Sequence, residues 1–221
     1  TNYNFNSGID LALFDNRLNI TFEYYIRTTK NLLYERPLSL TTGFSNYLSN
    51  IGKLQNKGYE LELRSTNINT KDFRWTSSFN LGHNTNKILK LDGDLKQVTS
   101  GSMIRKVGLP YSTYYMIEFA GIDPADGEPM FYKNTTDENG KLNRETTKDP
   151  RSAEKVILKC ADPTITGGFG NSFSYKWFDF NFNLNFSLGA WNYDECASKL
   201  EHGGDGTLNI PTYYRKRWQK E

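Results

Sequence analysis

The feature that most constrains this chain is a long alternation of apolar and polar residues between Thr166 and Ala190. From Phe178 onward every second residue is apolar, and the residues between are Asp, Asn, Ser or Gly. The apolar set is Phe178, Phe180, Phe182, Leu184, Phe186, Leu188 and Ala190. Because successive side chains of a strand point to opposite faces, this period predicts a strand with one apolar and one polar face.

The length of this strand can be compared with the thickness of a membrane. Strands in soluble sandwiches are usually about five or six residues long. From Phe178 to Leu188 the strand would rise about 33 Å, at roughly 3.3 Å per residue. Tilted by about 45°, it would cover roughly 24 Å, close to the ~25 Å apolar band of an outer-membrane β-barrel. We therefore expect six of these side chains to face lipid: Phe178, Phe180, Phe182, Leu184, Phe186 and Leu188.

Composition agrees with a β-rich chain. Fourteen Tyr and fourteen Phe are residues that pack well in sheets. The net charge of +2 gives no electrostatic footprint for nucleic acid. No run approaches the ~20 apolar residues of a transmembrane helix. Thr1 begins inside an alternating pattern with no leader before it, so we expect a portion of a longer protein.

The same alternation recurs along the chain and predicts about eight strands in four hairpins. They are Tyr3–Phe14, Leu18–Arg27, Asn56–Ile68, Phe73–Gly82, Ser112–Gly121, Glu128–Lys133 and the two strands after Thr166, which turn at Lys176-Trp177. The long connections between hairpins are Glu35–Gln55, His83–Pro110 and Asn134–Cys160. Such connections are unusual in compact soluble domains, whereas outer-membrane barrels combine short periplasmic turns with long outer loops. The sequence therefore predicts an all-β, antiparallel segment of a transmembrane barrel.

Residues that carry chemistry do not form a recognisable constellation. His83 and His202 are far apart in the sequence, and Asp123, Asp126 and Glu128 lack the spacing of a calcium loop. The glycines at 167, 168 and 170 precede no helical pattern that would hold a phosphate. Cys160 and Cys196 can pair or stay free, and their spacing does not decide between the two. We expect no enzyme activity, metal site or cofactor.

Aromatic residues in or beside the long connections are the candidate binding residues. They are Tyr47, Tyr114, Tyr115, Trp191, Tyr193, Tyr213, Tyr214 and Trp218. An aromatic ring can lie against the apolar face of a sugar, and Tyr and Trp also anchor protein interfaces. We expect these residues to contact substrate or a protein lid; the alternative is ordinary loop packing. Glu23, Glu60, Glu62 and Arg64 are expected to be polar groups of the lumen wall.

Four passages resemble the C-terminal barrel of the SusC/RagA family of TonB-linked outer-membrane transporters of Bacteroidetes. They begin at Leu13 (LFDNRLNITFEYY), Asn50 (NIGKLQNKGYELEL), Ala120 (AGIDPADGEPMFY) and Asp162 (DPTITGGFGNSFSY). Arg217-Trp218 also resembles the arginine-tryptophan of the family's late loop. The passages follow the family's order and cover nearly the whole chain. One departure is Leu158-Lys159-Cys160, where the family commonly has a glycine before the following alanine or asparagine.

This resemblance implies an active importer of the bacterial outer membrane. The family has a barrel of about 22 strands around an N-terminal plug, is driven by the TonB complex, and is closed by a SusD-like lipoprotein lid. Its substrates are oligosaccharides or peptides. Residues 1–221 would then form part of the C-terminal barrel, without plug, TonB box or last strands. The alternatives are a soluble or surface β-sandwich, acting as an adhesin or carbohydrate-binding module, and a passive porin.

Overall fold

The computed structural model describes residues 1–30, 33–37, 40–44, 46–50, 52–91, 95–137, 140–201, 209–216 and 218–219. Its strands are β1 (Asn2–Leu13), β2 (Leu18–Lys30), β3 (Leu33–Pro37), β4 (Asn46–Asn50), β5 (Gly52–Asn69), β6 (Phe73–Leu91), β7 (Gln97–Ser100), β8 (Met103–Lys106), β9 (Thr113–Met116), β10 (Phe119–Ile122), β11 (Pro129–Tyr132), β12 (Thr146–Thr147), β13 (Val156–Cys160), β14 (Ile165–Tyr175) and β15 (Phe178–Leu188). A short helix, α1, spans Glu195–Leu200, and 3-10 turns occur at Leu40–Thr42, Pro150–Ser152 and Thr212–Lys216. Among these residues no helix is long and apolar enough to cross a membrane.

The chain divides into two compact units. The first unit comprises Thr1–Thr113 and Cys160–Trp191, and the second unit comprises Tyr114–Lys159 and Asn192–Glu221. The first unit contains a six-stranded antiparallel sheet in the order β1-β2-β5-β6-β14-β15. The predicted all-β, antiparallel architecture is confirmed. The described residues do not close into a barrel, because β1 and β15 are the two edges of an open sheet.

Three of the four predicted hairpins build this sheet. β1 pairs with β2, β5 with β6, and β14 with β15, each across a short turn. The turn of the first hairpin has three residues in the left-handed region, Phe14, Asp15 and Asn16, and the last hairpin has one, Lys176. The fourth predicted hairpin is present as β10 paired with β11, but it belongs to a separate small sheet in which β11 also pairs with β12. The predicted strand Ser112–Gly121 is divided into β9 and β10, and β9 lies in a different sheet.

The middle strands of the large sheet are longer than their apolar pattern suggests. β5 starts at Gly52 rather than Asn56, and β6 ends at Leu91 rather than Gly82. The added residues are mostly polar, so they carry no apolar period, yet their backbones continue the β5–β6 ladder from Gly58↔Asn84 to Gly52↔Leu91. Backbone pairing therefore continues where the side-chain pattern stops.

A small core lies at the far end of β6. Ile88 and Leu91 are buried there against Leu54, Leu95 and Tyr111. The backbone of Ile88 exchanges hydrogen bonds of 2.9 Å with Leu109 and Gly108, which ties the segment after the β7–β8 hairpin to β6. Within the predicted long connection His83–Pro110, β6 therefore continues to Leu91, and the later residues contain the strands β7 and β8 of a different sheet.

Candidate functional site

The two faces of the six-stranded sheet differ sharply in chemistry. We call the face that carries Phe178 the outward face. Register places the following apolar residues on it: Phe5, Ile9, Leu11, Leu13, Leu18, Ile20, Phe22, Leu61, Leu63, Phe79, Leu81, Phe169, Phe180, Phe182, Leu184, Phe186 and Leu188. Ile9 and Leu184 are each 60% exposed, although burial of apolar surface is normally favourable. This face is suited to an apolar environment.

Aromatic rings form a contact ladder across the turn end of β6, β14 and β15. Phe173 stacks with Trp75 at 5.5 Å between ring centroids, with Phe180 at 6.2 Å and with Phe182 at 6.4 Å. All four rings lie on the outward face. Their contacts give this end of the sheet an aromatic border.

One polar network interrupts the apolar outward face. The side-chain oxygen of Asn171, a residue only 6% exposed, accepts hydrogen bonds from Trp75 Nε1 at 2.8 Å and from Ser77 Oγ at 2.6 Å. Asn67 lies at a β-bulge between Thr66 and Ile68 and donates from its amide to Ser77 Oγ at 2.7 Å. A buried amide needs such partners to offset its desolvation. The sequence signal was the break in the apolar alternation at Asn171.

The opposite, inward face is polar. It carries Glu23, Glu60, Glu62 and Arg64 as predicted, and Arg64 Nε donates to Glu62 Oε1 at 2.5 Å. A concave cavity of about 610 Å³ lies along this face, lined mainly by amide and hydroxyl groups such as those of Ser78, Asn80, Asn181 and Asn183. Gly170 leaves room there, because an added Cβ would lie 2.5 Å from Asn183 Oδ1.

Four of the eight candidate aromatic residues surround α1 in the second unit. Tyr193 donates from its hydroxyl to Ser198 Oγ at 2.7 Å, and its amide donates to the Tyr114 hydroxyl at 3.1 Å. Tyr213 donates to Glu201 Oε1 at 2.5 Å, and Tyr214 donates to the Glu201 carbonyl at 3.2 Å. Since Tyr213 is still 53% exposed, it is both anchored and available for contact.

The other four candidates are not gathered at one place. Tyr47 lies on β4 and Trp191 follows β15, both in the first unit. Tyr115 is half-buried on β9. Trp218 has a structural role, since its indole Nε1 donates to the Pro124 carbonyl at 3.1 Å and its ring covers Gly127.

A lysine closes the acidic turn that Trp218 covers. Lys148 Nζ lies 2.8 Å from Asp123 Oδ2 and also contacts Asp126. Hydrogen bonds from this ammonium hold the pKa of Asp123 and Asp126 below the ordinary aspartate value, and they raise the pKa of Lys148. The sequence indicated the turn, but not that a lysine more than twenty residues away would neutralise it.

A second charged cluster has no signal in the sequence. Arg144 donates to both oxygens of Glu118, at 2.7 and 3.0 Å, and to Asn134 Oδ1 at 3.0 Å. The same guanidinium lies 3.7 Å from the centroid of the Tyr132 ring. The hydrogen bonds from Arg144 hold the pKa of Glu118 below its ordinary value. Asn134, 1% exposed, is thereby fixed within the second unit.

Of the histidine and cysteine side chains, His83 has hydrogen-bond partners nearby. His83 Nδ1 lies 2.7 Å from the Thr164 carbonyl and His83 Nε2 lies 3.3 Å from Thr85 Oγ1, while His202 and Arg217 lie outside the described residues. Cys160 and Cys196 are both free thiols. Within the described ranges, no three His, Cys, Asp or Glu side chains are grouped so that they could hold a metal ion.

Comparison with known proteins places the chain among receptors and transporters. It is 34% identical over 96% of its length to "TonB-dependent receptor P3" of Formosa agariphila, and 29% identical over 94% of its length to "TonB-dependent receptor SusC" of Bacteroides thetaiotaomicron. It spans only 22% and 21% of those relatives. Among solved structures, a chain of the RagAB peptide transporter superposes with a TM-score of 0.86 and 29% identity, over 99% of this chain and 24% of that one. No family model matches the sequence.

The fold and these relatives define the class as a β-sheet segment of a TonB-dependent receptor. The resemblance to the SusC/RagA family, which the four characteristic passages predicted, is confirmed by these relatives. Because the named relatives are receptors and transporters, the expectation that the chain is not an enzyme is confirmed.

Proposed function

We propose that this chain is a wall segment of a transporter that actively imports oligosaccharides or peptides across the bacterial outer membrane. The observation that carries the proposal is the two-faced sheet, with exposed apolar residues on the outward face and amides, hydroxyls and charges on the inward face. Lipid satisfies the first face and a water-filled lumen satisfies the second. Residues 1–221 form part of the C-terminal barrel, and Phe178, Phe180, Phe182, Leu184, Phe186 and Leu188 face lipid.

Partners follow from the family. We propose that TonB drives the whole receptor through parts outside this segment, and that a SusD-like lipoprotein closes it from outside. The solved RagAB neighbour is named a peptide transporter, and this supports peptides as one substrate class. Oligosaccharides are the other proposed class, because the four passages resemble the SusC/RagA family, whose substrates are oligosaccharides or peptides.

The second unit is proposed to contribute to the outer vestibule. Tyr193 and Tyr213 are anchored through their hydroxyls yet 46% and 53% exposed. Fixed aromatic rings lose little conformational entropy on binding, which makes them effective contacts for substrate or lid. The remaining proposed contacts are Tyr47, Tyr114, Tyr115, Trp191, Tyr214 and Trp218.

Uptake by cells that express the full-length receptor tests this function. Cells are supplied with fluorescent oligosaccharides or peptides, with and without a functional TonB complex, and the receptor is purified to identify a co-purifying lipoprotein. We expect uptake of one substrate class that requires TonB, and a lipoprotein in the purified complex. Uptake that continues unchanged without TonB would favour a passive porin, and a receptor that is soluble in plain buffer would contradict the barrel.

The vestibule contacts are tested by Tyr213→Ala in the same uptake assay. Trp177→Ala is the matched control, because Trp177 is a 90% exposed aromatic residue at a short turn of the sheet. We expect slower uptake or weaker lid binding for Tyr213→Ala and no change for the control. Equal behaviour of the two variants would remove Tyr213 from the proposed site.

A further inference from the structure

The carboxylates and the lysines of the six-stranded sheet lie on opposite faces, whereas the arginines Arg27, Arg64 and Arg74 lie on the same face as the carboxylates. The strands' carboxylates lie on the inward face: Asp10, Glu23, Glu60, Glu62 and Asp179. Lysines occupy the outward face, and we call them the outward lysine patch: Lys30, Lys53, Lys57, Lys87 and Lys90. The described outward face of β1, β2, β5, β6, β14 and β15 carries no Asp or Glu.

Register brings these lysines together from three neighbouring strands. Lys30 of β2 is opposite Lys53 of β5, which in turn is opposite Lys90 of β6. The next two pairs of outward residues, toward the apolar part of the same face, contain first Lys87 and then Lys57. With strands about 4.8 Å apart and outward residues about 6.8 Å apart along a strand, all five ammonium groups project from an area comparable to one or two lipid headgroups.

The orientation of the patch is fixed by contacts on either side of it. Tyr59 is on the outward face, because its ring packs against Phe22 at 6.5 Å and His83 at 5.0 Å between centroids. Lys57 is two residues from Tyr59 and therefore points the same way. On the other face, Asn86 donates to Asn56 Oδ1 at 2.7 Å, which places the neighbouring Lys57 and Lys87 outward.

The ammonium groups of the patch are available to an anion. Lys30, Lys57, Lys87 and Lys90 are exposed. Among the described residues, none of the ion pairs involves a lysine of the patch. Lys30 Nζ lies 4.5 Å from the ring centroid of Tyr3, which positions its charge above an outward aromatic residue.

The order of residues along β5 matches the layers of a lipid leaflet. Along β5, in the direction away from the short turns, Leu63 and Leu61 come first, then Tyr59, and then Lys57 and Lys53. Apolar side chains suit acyl chains, tyrosines concentrate at the interface, and lysines attract anionic headgroups near a membrane surface. The patch lies at the end of the sheet opposite to the short turns, which is the outer side in barrels of this kind.

From this arrangement we infer that the outward lysine patch binds the phosphate groups of lipid headgroups in the outer leaflet, with the acyl chains lying on the adjacent apolar face. The inference rests on the proposed function, since it requires the outward face to be in the membrane. Charge complementarity identifies the headgroup as anionic, and continuity with Tyr59 and Leu61 identifies the ligand as a lipid rather than a soluble anion.

Native mass spectrometry of the full-length receptor in neutral detergent tests the inference. The probes are phosphatidic acid and phosphatidylcholine with the same acyl chains, each titrated with and without excess inorganic phosphate. The variant Lys57→Gln, Lys87→Gln, Lys90→Gln removes three exposed charges of the patch. The control Lys71→Gln, Lys141→Gln, Lys155→Gln removes three exposed charges elsewhere, and a triple Lys→Arg variant of the patch retains the charge.

We expect the patch variant to bind phosphatidic acid about a hundredfold more weakly, from roughly fivefold per lysine near a membrane surface. The control and the Arg variant should bind it as the native receptor does, and phosphatidylcholine binding should be unchanged. Equal loss in patch variant and control overturns the inference, as does displacement of the lipid by inorganic phosphate alone. If the receptor needs detergent but binds the two lipids equally, only the inferred binding of lipid phosphate by the patch is overturned. If the receptor is soluble without detergent, the proposed function itself is overturned.

Discussion

The six-stranded sheet and the second unit are held together by different kinds of interaction. In the sheet, β14 pairs without interruption with β6 on one side and β15 on the other, through backbone ladders from Ile165 to Tyr175. In the second unit the strands are short, and six of the seven ion contacts among the described residues lie there. The sheet thus depends on a repeated pattern, whereas the second unit depends on individual side chains.

The two parts should therefore be destabilised by different kinds of substitution. A ladder tolerates replacement of many side chains, provided that each face keeps its polarity and the backbones can approach. A unit organised by Arg144, Lys148 and Trp218 has no such repeat, so the loss of one partner affects a whole cluster. Four substitutions or titrations test this contrast, in order of decreasing expected effect.

The largest effect is expected from reversing the polarity of the outward face. Leu184→Arg places a charge on an apolar side chain that is 60% exposed, and it should destabilise the full-length receptor by about 2–4 kcal/mol near the bilayer midplane. Denaturant unfolding in lipid vesicles measures the change. Asn183→Arg is the control on the inward face and should cost much less; equal costs would mean that the two faces are wrongly assigned.

A smaller effect is expected where two backbones approach each other. An alanine at Gly167 would place its Cβ 2.5 Å from the Asn80 carbonyl and 2.5 Å from Phe186 Cζ. Gly167→Ala should therefore destabilise the sheet by about 1–3 kcal/mol. Gly82→Ala is the matched control, because its Cβ would lie 3.4 Å from Thr166 Oγ1, a tight but adjustable contact. If both variants unfold at the same denaturant concentration, close strand approach does not limit the sheet.

In the second unit, Asn134→Ala should open one cluster without affecting the sheet. The substitution removes an acceptor for Arg144 and puts alanine at a φ of 53°, which asparagine tolerates better. We expect a local loss of about 1–2 kcal/mol, seen as faster amide exchange over residues 133–145. Thr136→Ala, an exposed neighbour, should exchange like the native receptor. Faster exchange throughout the six-stranded sheet would show that the two units are not energetically separate.

The smallest effect is expected from pH. Arg144 holds the pKa of Glu118 below its ordinary value of 4.5, so the ionised carboxylate stabilises the fold above that value and the contribution is lost as pH falls below it. The protection factors of the amides in residues 133–145, which correct for the intrinsic pH dependence of exchange, should be unchanged from neutral pH down to about 5 and should fall at lower pH. Glu118→Gln should weaken this pH dependence, and an unchanged profile in that variant would assign the effect to another group.

Much of the sheet was predictable because its information is local. The period of two gave the start of β15 at Phe178, although the alternation continues to Ala190 and the strand ends at Leu188. The predicted strands ending at Ile68 and beginning at Phe73 gave the place of the turn between β5 and β6. The extension of β6 to Leu91 was not predictable, since the residues after Gly82 are first polar and the apolar residues that follow, Ile88, Leu89 and Leu91, do not alternate regularly. The short strands β3, β4, β7, β8, β12 and β13 were missed because they lie in or beside the segments predicted as long connections.

The candidate contacts were predictable only as residue types. The sequence picked out Tyr193, Tyr213 and Trp218 as loop aromatics, but it did not separate the exposed Tyr213 from Trp218, which covers the Gly127 turn. That separation depends on which residues meet in space. Glu118 and Arg144 were overlooked for the same reason, because they are 26 residues apart in the sequence.

The alternation of Phe178–Leu188 and the two chemically different faces of the hairpins can be read from the sequence alone. These follow from strand geometry, in which each residue's face depends only on its position along the strand. Three arrangements are visible only in the tertiary structure. Lys30, Lys53 and Lys90 lie side by side on neighbouring strands. Asn171 accepts hydrogen bonds from Trp75 and Ser77, and Lys148 forms an ion pair with Asp123 in its turn. The physical reason is that register and long-range contacts join residues whose separation in the sequence carries no repeating signal.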